Sequence, residues 1–396
     1  MHVTDRFPLE TPARAAADAN PPLTLDTWRD PARTVRSFRA AREFIPSARI
    51  RGARSSLELP RIPRDVSALV VGPGGETLAQ YLDRTRAAGI LVVHDGAVVH
   101  ERLLRGFSAD QVHMAWSVSK SIVSSLAGIL VGDGSFAPGD GVADRLPELR
   151  GTAWDGVIIR NLLDMRVGLA WDENDGSADV LPYDRAYQWA SRVDAPESAL
   201  EYMRALPRGA GPGGVFDYQS IATDMLAWVI EATTGQRLHE LLAERLWIPL
   251  GASDAEITLD YFGNPMADGG ISAGINDLAL FGELWRSGGA NRRGERLIPA
   301  DWIHDTLTPT ADLEEAFARS GRPDGRPGSG RYYRNNWWVL DAASGFFAAR
   351  GFLGQSIHVH RDARVTVVTL SAWEHHDTAA EADAEHVALR IADELG

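Results

Sequence analysis

One lysine, Lys120, stands in the 396 residues, and the residues after it, Ser121 to Gly132, carry no charge. The other 39 basic side chains are all arginines. An uncharged run of Ile, Val, Leu, Ala, Ser and Gly with no polar face does not lie on a surface. It reads as a helix buried on most sides, stopped at Gly132-Asp133-Gly134. Whatever fold the chain adopts must wrap this helix and bury an amine at its start. Burial disfavours the charged form of an amine, and an amine, unlike a guanidinium, can then lose its proton near neutral pH. Ser117 lies three residues earlier on the same helical face, so its Oγ and Lys120 Nζ can meet. Serine is a weak nucleophile unless a base lies within reach. Ser117 and a neutral Lys120 are therefore the candidate nucleophile and base, and the Ser117 N–H at the helix N-terminus is a candidate oxyanion donor. The bland alternative is a stray lysine that happens to follow one of many serines.

The formal net charge of −14 argues against nucleic acid or an anionic membrane as a partner. With no cysteine, disulfides, thiolate metal sites and cysteine nucleophiles are excluded. The first residues, Met1 to Arg6, hold no apolar stretch of the kind a secretion signal needs. The longest uncharged apolar run is too short to span a bilayer. A cytoplasmic protein is the expectation.

Residues 1–75, rich in Pro, Arg and Ala, read as an N-terminal arm on the body, with Trp28, Phe38, Phe44 and Ile45 as anchors. A helix is expected from Glu76 to Ala88. Ile90 to Val93 and Val98 to His100 flank Asp95-Gly96, a strong type I′ hairpin signal. From Pro138 to Gly235 the chain reads as short helices and loops, with amphipathic pieces at Ile158–Met165 and Thr223–Thr234. Further helices are expected from Arg237 to Trp247, stopped by Pro249, and from Asn276 to Ser287. Gly321 to Gly330 is expected to be a loop. Strands return at Trp337–Leu340, Gly345–Ala349, Gln355–His360 and Val365–Ser371, and a helix closes the chain at Thr378–Leu395. This order suggests an α+β architecture. One antiparallel sheet, built from both ends (76–115 and 240–396), is flanked by helices, and a mainly helical domain (116–239) is inserted with the Ser-x-x-Lys helix at the boundary.

Two further stretches bear on the chemistry. Tyr218, in Asp217-Tyr218-Gln219-Ser220, is a candidate proton shuttle, because a nearby cation lowers a phenol's pKa. On its own surroundings it reads first as a packed aromatic. Arg350-Gly351-Phe352 ends a strand, where Gly351 suits close approach of a ligand. Either a strand-end N–H donor or a simple turn fits that stretch.

Taken in order, Ser117-Val118-Ser119-Lys120, Tyr218-Gln219-Ser220 and a glycine near the last strands resemble the three motifs of serine β-lactamases and penicillin-binding proteins. More closely, the chain resembles the 6-aminohexanoate-dimer hydrolases (nylon-oligomer hydrolases) and their esterase-like relatives. That likeness runs through Leu25-Asp26-Thr27-Trp28, Leu163-Asp164-Met165, Asp217-Tyr218, Thr223 to Trp228, Gly269-Gly270 and Gly354-Gln355. It implies the β-lactamase/transpeptidase-like fold and an acyl-enzyme on Ser117, with Lys120 as base and Tyr218 relaying the proton. The Ser117 and Phe352 N–H groups would form the oxyanion hole. Ser220, Arg350, Gly351, Asp175 and Asp184 would meet the substrate. Asp184 matches the acid that in that family can pair with a substrate ammonium. Two departures stand out. Arg350-Gly351-Phe352 replaces the Lys-Thr-Gly of β-lactamases, and Asp175 stands where the nylon-oligomer hydrolases have a substrate-contacting tyrosine.

Gly209-Ala210-Gly211-Pro212-Gly213-Gly214 satisfies a dinucleotide-binding pattern in letters only, since it follows no apolar strand and contains a proline. His358, His360, His375 and His376 lack a third ligand at metal spacing, so no metal or cofactor is expected. The reading is a serine hydrolase of small amides or esters. A β-lactamase or D-alanyl peptidase is the alternative, and a catalytically silent ligand-binding protein is the rival of another class. The expected partner is a small-molecule substrate, with a homodimer as the assembly considered.

Overall fold

The computed structural model describes residues 23–173, 177–191, 196 and 198–396. In chain order its strands are β1 (Ser47–Ile50), β2 (Gly89–His94), β3 (Ala97–Leu103), β4 (His113–Met114), β5 (Ala255–Thr258) and β6 (Ile271–Ala273). They continue with β7 (Tyr332–Arg334), β8 (Trp337–Asp341), β9 (Phe346–Gly351), β10 (Gln355–His360) and β11 (Val365–Leu370). The helices that shape the site are α1 (Val118–Gly132), α2 (Val180–Ala186), α3 (Ile221–Thr234), α4 (Ile275–Arg286) and α5 (Thr378–Leu395).

Seven strands form the main sheet in the order β3-β2-β11-β10-β9-β8-β7, and every neighbouring pair is antiparallel. It is built from both ends of the chain, because β2 pairs with β11. The β2–β3 hairpin turns on Asp95 and Gly96, both at positive φ, as a type I′ turn requires. Residues 89–93 of β2 are buried without alternation, which is what a central strand covered on both faces shows. Helix α4 covers one face. It comes so close that a Cβ on Gly282 would sit 2.6 Å from Thr366 Cγ2 and 2.9 Å from Ile357 Cγ2. Helix α5 covers the other face, where Glu385 meets Arg350 of β9.

A second sheet, β1-β5-β6-β4, corrects the expectation of a single one. Its strands are two to four residues long, and such short runs carry too little alternation to stand out. One helix boundary also differs. The helical run after Arg237 passes through a π-turn at Ala243–Trp247 and continues past Pro249, ending at Gly251 in the left-handed region. The wider turn accommodates a residue that has no N–H to donate.

Helix α1 is buried along Val118–Leu130, so each of its hydroxyls needs a partner inside the protein. Ser121 and Ser124 donate to the carbonyls of Asn336 and Asn335, each at 2.6 Å. Those two asparagines form the β7–β8 turn with positive φ. Ser119 Oγ accepts the Ile271 N–H at 3.1 Å, and Ser125 Oγ accepts Trp285 Nε1–H at 2.9 Å. One helix thus joins the main sheet, the small sheet and α4. Behind its N-terminus Trp28 stacks on Trp116 with ring centroids 5.7 Å apart, and Trp189 stands edge-on to both. The N-terminal segment therefore forms part of the wall next to Ser117.

Candidate active site

Ser117 is the N-cap of α1, and Trp116 before it has φ +50, which is unfavourable for a bulky side chain. That turn swings Ser117 to the floor of a cavity of about 410 Å³, within the usual range for small-molecule sites. Lys120 follows one helical turn later and is fully buried. Its Nζ donates to Ser117 Oγ at 2.7 Å and to the Asp268 carbonyl at 2.9 Å. The Asp268 carboxylate lies 3.5 Å away.

Tyr218 closes the other side. Lys120 Nζ lies 5.2 Å from the centroid of its ring, and Tyr218 and Ser117 line the same cavity. Its ring stacks on Trp338 at 5.4 Å and meets Tyr333 edge-on at 5.9 Å. The ring therefore packs as the aromatic reading expects, on the wall of the cavity that holds Ser117.

The expectation of a neutral lysine is corrected here. Burial does pull the Lys120 amine down, but Tyr218, Asp268 and Glu173 around it outweigh burial and raise it above its ordinary value. The surroundings of Lys120 thus favour its charged form. Burial raises the Tyr218 phenol, and the Lys120 charge offsets part of that rise. Each group acts on the other, the ammonium favouring the ionised phenol and the ionised phenol favouring the ammonium.

Glu173 was not anticipated. Its carboxylate accepts the Ser220 N–H and, at 3.1 Å, the Ser220 hydroxyl. It thereby anchors the N-cap of α3, two residues beyond Tyr218. Burial pushes this carboxyl up to about 7, with the Lys120 charge opposing. Beneath Lys120, Asp224 of α3 accepts the N–H groups of Ala267 at 2.7 Å and Asp268 at 3.1 Å and bonds the Tyr183 hydroxyl. It thereby fixes the loop whose carbonyl holds Lys120.

Gly351 lets the end of β9 come up against the nucleophile turn. A Cβ there would lie 2.4 Å from the Ala115 carbonyl oxygen and 3.1 Å from Trp116 Cβ. Phe352, next in the chain, sets its ring 5.1 Å from that of Trp116 and lines the same cavity. Arg350 and Asp184 line it too, but both charges are already engaged. Arg350 meets Glu385 at 2.8 Å and Glu381 at 3.8 Å, and Asp184 is held by Arg29. Ser220 is turned to Glu173. Asp175 lies outside the described residues. His358 is buried in β10, and burial pushes its imidazole down to about 3, so it stays uncharged. Among the described residues there is no group of three or more His, Cys, Asp or Glu side chains that could hold a metal ion. Among them, too, no helix is long and apolar enough to cross a membrane.

The Beta-lactamase family's sequence model matches residues 76–391. The chain is 31% identical over 383 residues to the 6-aminohexanoate-dimer hydrolase of Paenarthrobacter ureafaciens, covering 95% of this chain and 93% of that one. Among solved structures, a Bacillus anthracis protein described as a candidate 6-aminohexanoate-dimer hydrolase superposes with a TM-score of 0.86 at 22% identity, over 94% of this chain and 97% of that one. EstCE1, a hydrolase with promiscuous acyltransferase activity, superposes with a TM-score of 0.60 at 19% identity, over 78% of this chain and 96% of that one.

Proposed function

The chain belongs to the β-lactamase family and is a serine hydrolase on that family's fold; from that premise we propose that it cleaves small amides and esters through an acyl-enzyme on Ser117. The observation that carries this reading is the contact of Ser117 Oγ with the buried Lys120 amine at 2.7 Å, in a cavity that Tyr218 also lines. A serine hydroxyl bonded to an amine can pass its proton on once that amine, or a phenol beside it, has given one up.

In acylation Ser117 Oγ bonds to the substrate carbonyl carbon, and its proton passes into the Lys120–Tyr218 unit. The competent form of that unit carries one proton fewer than the resting ammonium and phenol. The carbonyl oxygen takes up the negative charge, facing the Ser117 and Phe352 N–H groups as oxyanion donors. When the carbon–nitrogen or carbon–oxygen bond breaks, Tyr218 hands the proton to the leaving group. Water then attacks the acyl-enzyme and gives its proton to the same unit, which passes it to Ser117 Oγ as the acyl–oxygen bond breaks and the acid is released. Amides are included because the relative at 31% identity is named for hydrolysing the 6-aminohexanoate dimer.

The test is intact-protein mass after incubation with a fluorophosphonate, which labels activated serines. One adduct is expected on the wild type and none on Ser117→Ala. An unlabelled wild type, or a labelled Ser117→Ala, would overturn the assignment.

A further inference from the structure

Two charged groups from distant parts of the chain meet at one wall of the cavity. Asp184 belongs to α2 and Arg29 to the N-terminal segment, and both line it. The guanidinium grips both carboxylate oxygens, Nη1 to Oδ2 at 2.5 Å and Nη2 to Oδ1 at 2.9 Å. This is the forked geometry of the strongest ion pairs. Only 8% of the Asp184 side chain is exposed, against 37% for Arg29. The same guanidinium lies 4.8, 5.7 and 5.4 Å from the ring centroids of Trp28, Trp116 and Trp189, and Trp116 directly precedes Ser117.

A withdrawn carboxylate beside indole faces is where a ligand cation would gain most in such a cavity, from the charge and from the rings. Here both contacts are already made from within the chain. An incoming ammonium must displace a tethered guanidinium whose effective concentration is roughly millimolar or higher. A ligand anion finds that guanidinium already neutralised. Arg322 is held by Glu381 at 3.1 Å and Arg350 by Glu385 at 2.8 Å, so the other two arginines of the lining are paired as well. The lining also includes the aromatic side chains of Trp171, Trp189, Trp338 and Phe352.

We infer that Arg29 occupies the cation position of the cavity and so restricts the group delivered to Ser117 to uncharged acyl chains. The inference rests on the Ser117 reading for the word acyl; the occupied cation position stands on the Arg29–Asp184 geometry alone.

The experiment compares hydrolysis of p-nitrophenyl hexanoate with its 6-trimethylammonio analogue, which carries a fixed cation and no nucleophilic amine. It is paired with calorimetric titration of hexyltrimethylammonium and 1-hexanol. Wild type should prefer the neutral ester. Arg29→Gln should raise the cation-to-neutral ratio of kcat/KM by roughly tenfold or more, the value of one charge-assisted contact. Adding Asp184→Asn to that variant should cancel the gain. Asp184→Asn alone leaves Arg29 unpaired and should shift preference toward p-nitrophenyl monoadipate, which keeps the idea testable if Arg29→Gln folds poorly. An unchanged ratio in Arg29→Gln, or a wild type that prefers the cationic ester, would overturn the inference. If no variant hydrolyses any ester while hexyltrimethylammonium binds Arg29→Gln more tightly than wild type, the Ser117 reading fails and the occupied cation position holds.

Discussion

Glu173→Gln isolates the cost of keeping a carboxylate beside Tyr218. The glutamine oxygen can accept the Ser220 N–H and its amide can donate to Ser220 Oγ, so both contacts of the native carboxylate survive. What changes is charge. In the folded protein this carboxyl is raised from 4.5 to about 7, so the folded state holds its proton more tightly than the unfolded one. Below pH 4.5 both states are protonated and no penalty exists. As pH rises through the window from 4.5 to 7, the unfolded chain ionises first, and stability falls until the penalty is complete above 7. At about 1.4 kcal/mol per pKa unit the full penalty is on the order of 3 kcal/mol. Glutamine does not titrate. The stability of the variant minus that of the wild type should therefore grow by about 3 kcal/mol between about pH 4.5 and about pH 8.5. Urea unfolding at the two pH values measures this. Other raised carboxyls, Glu231 at about 7 and Asp277 at about 6, cancel in the difference. A difference that stays flat with pH would show that Glu173 is ionised at no cost, and the account of the site's electrostatics would be wrong. A second readout follows from Lys120. Losing the Glu173 charge removes one of the groups that raise the amine, so the acidic limb of kcat/KM should move to lower pH.

Two other substitutions bear on the same machinery. Lys120→Arg keeps the charge but cannot share a proton with Tyr218 at any working pH; the rate of fluorophosphonate labelling should fall by roughly 10²- to 10⁴-fold, and near-native labelling would remove Lys120 from the base. Gly351→Ala forces a methyl group to within 2.4 Å of the Ala115 carbonyl oxygen, which should cost about 1–3 kcal/mol of stability and slow acylation by shifting Phe352. An unchanged melting temperature would mean that β9 and the nucleophile turn are not in contact.

Much of the site is local in sequence, and that part can be read in advance. Ser117 and Lys120 meet because helical geometry places residues three apart on one face, and Asp95-Gly96 announces its hairpin through backbone sterics. The protonation state of Lys120 is different in kind. It depends on Tyr218, Asp268 and Glu173, which arrive from three separate segments, and no count along α1 can include them. Glu173 itself carries no spacing signal, since its role lies entirely in bonding Ser220, 47 positions away. Arg29 and Asp184 are 155 positions apart, so the acid alone was legible as a candidate for a ligand cation. The small sheet was missed for another reason. Strands β5 and β6 are buried nearly throughout, and short continuous apolar runs look the same in a strand as in a helix.

The pairing of β2 with β11 has a bearing on how the molecule is made in a cell. Residues 89–94 hydrogen-bond to 365–370, so a ribosome must synthesise all of the intervening chain before the second strand finds its neighbour. At roughly 5–20 residues per second that wait lasts tens of seconds. Throughout it the β2–β3 ribbon has an unpaired apolar edge, and α1 has no sheet to lie against. The wall that Arg350, Gly351 and Phe352 give the cavity likewise waits for that stretch to be made.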